Sequence, residues 1–188
     1  RLALEAAMIA FGVLLALSLE SYAEHRKLQR QAHEALTHIR AEVVHNAGII
    51  RGQLPVQTQV ADSLRSFQDC VAAWRQNRRA GNEPTLPRVS LSPAILSTAS
   101  WQAAMSTGAL AHIDFRTVQA LSRYYEAMQW LRRIEDRYLE SLARPVGDRI
   151  EDQAERANSL RLLMLGYIEI EQALVNASET LAPELPEK

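Results

Sequence analysis

The sequence predicts an all-α chain in which one N-terminal transmembrane helix continues into an antiparallel extramembrane bundle of about four helices. Three observations predict it. Residues Leu2 to Leu19 read LALEAAMIAFGVLLALSL, apolar but for Glu5. The remainder carries apolar stripes at helical spacing and is rich in Ala, Leu, Arg, Glu and Gln, all good helix formers. Alternating apolar and polar stretches of useful length, the mark of strands, do not occur.

The span is expected over residues 1–22. Leu2 to Tyr22 is about 21 residues, roughly 31 Å at the helical rise, enough for a bilayer core of about 30 Å. Glu5 and Glu20 lie near its ends, where a carboxylate reaches the headgroups, and Tyr22 sits at an interfacial depth. Two other readings compete. Ser21-Tyr22-Ala23 is a passable cleavage site for a signal peptide. A buried helix of a bundle is the other, and apolar residues all round the helix count against it. Ala3, Ala7, Ala10, Gly12 and Ala16 supply small-xxx-small spacings for close helix packing in lipid.

The bundle is expected over residues 23–182, followed by a tail over 183–188. Leu28, Ala32, Ala35, Leu36, Ile39, Val43, Ala47 and Ile50 form one stripe, giving a helix over about 23–50 continuous with the span. Gly48, Gly52 and Pro55 then predict a kink or break, because proline clashes with the preceding turn. Val60, Leu64, Phe67, Val71 and Trp74 give a helix over about 55–77. A loop with Gly81, Pro84 and Pro87 follows. Ser92-Pro93 reads as an N-cap with proline at the first helical position, opening a connector of short helices over 92–107. Asp114 caps a helix over 114–143 with the stripe Val118, Leu121, Tyr125, Met128, Leu131, Ile134, Tyr138 and Leu142. Asp148 and Glu151 resemble a capping box for a last helix over 148–181. Four stripes close one core.

Composition narrows the chemistry. Lys and Arg (21) nearly balance Asp and Glu (22) without a basic patch, so nucleic acid is not an expected partner. Cys70 is alone, which excludes an internal disulfide, and its place beside Val71 predicts burial. His33 and His38 in HEALTH are five apart, about 140° around a helix, whereas zinc-protease chemistry needs a spacing of four. Glu42-Val-Val-His45 has no second copy, so a di-iron bundle lacks its ligands, and a solvated helix face is expected there. Serine elbows and phosphate-binding glycine loops are absent. No catalytic or metal residue, and no cofactor, is assigned. Tyr125 is expected in the core. Trp101, opening a short helix after a loop, and Tyr124 are the candidate pocket or contact residues.

Glu5, the Gly12 to Leu17 centre, Glu24 to Lys27, and Leu36 to Asn46 carry a resemblance to a bacterial family of small single-pass membrane proteins known only as a domain of unknown function. The later stretch SWQAAMSTGALAHIDFRTVQALSRYYEAMQWL resembles the same family. The resemblance spans roughly residues 1–140. It implies architecture and no reaction. Family members carry a basic N-terminal tail, which is expected upstream of Arg1. Arg26, Lys27 and Arg30 after the span would by themselves keep the bundle in the cytoplasm. An upstream basic tail reverses that balance, and the resemblance implies a periplasmic bundle at the bacterial inner membrane.

The functional expectation is a non-catalytic interaction protein, an accessory or scaffold subunit of a larger bacterial membrane complex. Its partners are then membrane protein subunits and the lipid bilayer. The alternative is a membrane-anchored sensor whose bundle binds a small molecule near Trp101 and Tyr124.

Overall fold

The structure, a computed structural model, describes residues 2–77 and 81–187; of residues 2–10 and 13 it describes the backbone alone. The fold is all-α. Among the described residues there are four α-helices: α1 (Leu2–Gln76), α2 (Ala99–Ser106), α3 (Phe115–Ala143) and α4 (Ile150–Leu181). Short 3₁₀ turns occupy Ala109–His112 and Ala182–Glu184.

The expected break at Pro55 does not occur. α1 is one 75-residue helix with Pro55 inside it, roughly 110 Å long at the helical rise. Proline in a helix interior costs about 3 kcal/mol. Burial on both sides of the proline outweighs this. Ile50 below it and Ala61 and Leu64 above it are buried on one face, and aliphatic burial contributes about 1.5–3 kcal/mol per large side chain. The bundle therefore has three long helices rather than four.

α4 runs antiparallel to α1. Arg40 Nε donates to the Ala182 carbonyl at 2.8 Å, Arg51 pairs with Glu179 at 2.7 Å, Gln57 meets Glu171, and Gln68 meets Asn158. α3 is antiparallel to α4 and parallel to α1, with Glu42 and Asn46 reaching Tyr125 and Met128. An extended strap over residues 81–98 takes the place of a fourth helix. Pro84, Pro87 and Pro93 remove backbone donors and disfavour helix. Leu86, Val89, Leu91 and Leu96 press the strap against the core. The expected Ser92-Pro93 helix start is thus replaced by extended chain, and α2 begins later, at Ala99. Gly108, at φ +72°, ends it in the left-handed conformation that glycine accepts without cost.

Asp114 caps α3 as expected, accepting from the Thr117 amide at 2.9 Å. At α4 the expected cap is displaced: Arg149 holds the N-cap position without a side-chain cap, and its guanidinium binds Asp152 instead. Cys70 is exposed, contrary to expectation, while the next residue, Val71, is buried. One step along a helix turns the side chain by about 100°, so adjacency to a core residue does not imply burial.

The core forms two clusters along the bundle. One holds Ile39, Val43, Ile50, Trp101, Tyr125, Met128 and Leu174; the other holds Leu64, Phe67, Tyr138, Leu160 and Met164. Leu54 and Leu91 touch both.

Candidate functional site

Three places in the fold depart from an ordinary bundle: the stem of α1, a polar node where the strap meets α1, and a buried carboxyl between the two core clusters.

On the stem, Phe11, Leu14, Leu15, Leu17, Leu19 and Tyr22 are each more than half exposed. At about 100° per residue they point to most sides of the helix, and nothing from the bundle covers them. The expected packing residues Gly12 and Ala16 are exposed as well, and a Cβ placed on Gly12 would meet nothing within 4 Å. Ala3, Ala7 and Ala10 have side chains outside the described residues. Among the described residues no helix is long and apolar enough to cross a membrane. The expected span draws on Leu2 to Ala10 and Val13, whose side chains lie outside that set. Past Tyr22 the stem turns polar, and the Arg26 guanidinium lies 5.6 Å from the Tyr22 ring centre.

The polar node is built on Glu42 and Asn46, one helical turn apart on α1 and both buried. Asn46 grips the backbone of Ser97 from both sides, donating to its carbonyl at 2.8 Å and accepting from its amide at 2.9 Å. Glu42 accepts from the Ser97 hydroxyl at 2.7 Å, the Ser100 amide at 2.9 Å and the Tyr125 hydroxyl at 2.6 Å. Thr98, the N-cap residue of α2, makes no side-chain cap, so Glu42 caps α2 from another helix, where negative charge is favourable. The expected solvated face at Glu42 is therefore wrong for Glu42, although His38 and His45 are exposed. Burial alone would raise the Glu42 carboxyl. Hydrogen bonds from Tyr125, Ser100, Ser97 and Trp101 outweigh burial and hold it below the usual carboxylate range.

Trp101 and Tyr124 close the core beside this node. The Trp101 ring stacks on Tyr125 at 4.9 Å, and Tyr124 meets Tyr125 edge-on at 5.3 Å. Burial pushes the Tyr124 hydroxyl up to about 12. Both rings, the expected pocket or contact residues, are buried. A groove of about 330 Å³ between α1 and α2 has His38, Ser100, Ala104 and Thr107 among its lining residues. Tyr125 is in the core as expected.

Between the clusters, Glu171 of α4 is completely buried. Its Oε1 accepts from Gln57 Nε2 at 3.1 Å, while Glu171 Oε2 and Gln57 Oε1 are buried without a hydrogen-bond partner. Sequence reasoning missed both Glu42 and Glu171. A hint existed in each: Glu42 follows Ile39 by three and Glu171 follows Ile168 by three, which places each carboxylate on an apolar stripe.

Among the described residues no three His, Cys, Asp or Glu side chains converge as a metal site would require. The arrangement can brace helices and bind a proton. No family model matches the chain, and neither a curated protein nor a solved structure matches it.

Proposed function

We propose that this chain is a membrane-anchored, non-catalytic interaction protein, an accessory or scaffold subunit of a larger bacterial inner-membrane complex with its bundle in the periplasm. One observation carries the reading: the Phe11 to Tyr22 stem bears large apolar side chains on most sides and none is covered by the bundle. Apolar surface of that kind requires lipid or another protein around it. The uncharged run Ala6 to Leu19 and an aromatic residue, Tyr22, just beyond its end favour lipid. Continuity of α1 from stem to bundle supports a stiff post, because a helix without a linker transmits orientation directly.

The resemblance adds support in one respect. Its two separated stretches, Leu36 to Asn46 and Ser100 onward, meet at the Glu42 node, which gives a physical reason for them to occur together. The reading is tested by extracting native membranes. Resistance to alkaline carbonate, followed by co-migration with a fixed set of membrane subunits in mild detergent, is the expected result. Release by carbonate counts against the anchor, and a lone monomer in detergent counts against the accessory role.

A further inference from the structure

The Gln57–Glu171 contact leaves two buried acceptors without a hydrogen-bond partner. Gln57 Nε2 uses one carboxyl oxygen; the other carboxyl oxygen and the amide oxygen are buried and unpartnered. Two stranded acceptors in one contact are costly, about 1–3 kcal/mol each. A single proton removes both. With Oε2 protonated, its O–H donates to Gln57 Oε1 while Gln57 Nε2–H donates to Oε1, completing a cyclic acid–amide pair.

We propose that Glu171 is a proton-binding site, folded into the bundle as the neutral partner of Gln57, and that loss of this proton to water loosens the waist between the two core clusters. Among the described residues, the groups that act on the Glu171 carboxyl are Gln57 and Glu135, neither of them a cation. On α4 the neighbouring titratable group is Tyr167, one turn away, whose hydroxyl burial keeps neutral. From α3 comes Glu135, which repels a charge on Glu171, and which is itself raised by burial and by Asp136 against the pull of Arg132. α1 contributes the Gln57 amide. Burial first, then Glu135, pushes the Glu171 carboxyl up to about 7. The site lies beside a local weak point of α1. Pro55, half a turn from Gln57 on α1, lacks an amide proton, so that turn is already short of one helical hydrogen bond.

The test is thermal unfolding and amide hydrogen exchange of the full chain in detergent between pH 5 and 8. The wild type is expected to melt at lower temperature at pH 8. Amides around Gln57 and Glu171 should then exchange faster by about tenfold or more after correction for intrinsic rates. Glu171→Gln should keep the acid-side melting temperature across the whole range. Glu135→Gln should move the wild-type transition to lower pH, because it removes the repulsion. A carboxylic-acid carbonyl band in the infrared, present in the wild type at pH 5, lost as pH rises and retained in Glu135→Gln, reads the proton directly, even if Glu171→Gln fails to fold. A pH-independent wild type, an unchanged slope in Glu171→Gln, or absence of the acid band at pH 5 overturns the proposal.

Discussion

The Tyr125 hydroxyl donates to Glu42 at 2.6 Å across 83 residues of sequence, and the same carboxylate caps the first turn of α2. One side chain of α1 thereby ties α3 and α2 to the stem-bearing helix. Replacing Tyr125 with Phe removes one charge-assisted hydrogen bond and should cost about 1.5–3 kcal/mol. Glu42→Ala strands the Ser97, Ser100 and Tyr125 donors together and should cost more than Tyr125→Phe. Urea unfolding of the two variants measures the order; equal or negligible effects would show that the node does not brace the helices.

The same carboxylate sets an acid limit. The Glu42 pKa is lowered in the folded chain, so its contribution to stability is present above the unfolded value and is lost as pH falls through the folded one. Stability should decline on acidification below about 4.5, the ordinary value for a glutamate, and Glu42→Gln should flatten that limb. Glu171 acts with the opposite sign, since its raised pKa favours the protonated fold. Melting temperature against pH, run on both Gln variants, separates the two limbs.

Trp101 is buried and stacks on Tyr125. Trp101→Ala should cost about 3–5 kcal/mol, the range for deleting a buried large aromatic side chain. Trp130, half exposed with Arg133 over its ring at 4.1 Å, should lose about 1 kcal/mol or less on truncation. Chemical denaturation of the two single variants decides, and similar losses at both positions would contradict the packing described.

Gly48 and Gly52 sit exposed within α1, with open space where a Cβ would go. Alanine at either should stabilise the chain by about 0.5–1 kcal/mol by restricting the unfolded backbone. A destabilising result at Gly52 would indicate that the turn before Pro55 departs from regular helix.

Leu15→Arg places a charge near the middle of the apolar stem. If lipid surrounds the stem, insertion should be opposed by about 2.5–3.5 kcal/mol, and membrane fractionation should show a shift of protein out of the integral fraction. An unchanged distribution would argue that another protein, or nothing, covers Leu15.

The local elements were legible in the chain because their causes are local. The stripe from Val118 to Leu142 predicted α3, and Asp114 sits as its cap because a carboxylate there meets the Thr117 amide whatever lies beyond. The stripe from Leu28 to Ile50 likewise marked the face of α1 that is buried from Ala32 onward.

The departures share one physical origin, energy supplied by residues distant in sequence. A local rule ends a helix at Pro55, yet contacts with α4 above and below keep α1 whole. Glu42 reads as a solvated glutamate until Ser97, Ser100 and Tyr125 satisfy it, and the partner of Glu171, Gln57, comes from another helix. The sequence by itself determined an all-helical chain with an apolar first helix, since periodicity and hydropathy are properties of neighbours. Only the tertiary structure decided the number of long helices, the extended strap in place of a fourth, and the placing of two carboxylates in the core, since each depends on the sum of contacts that only the packed bundle provides.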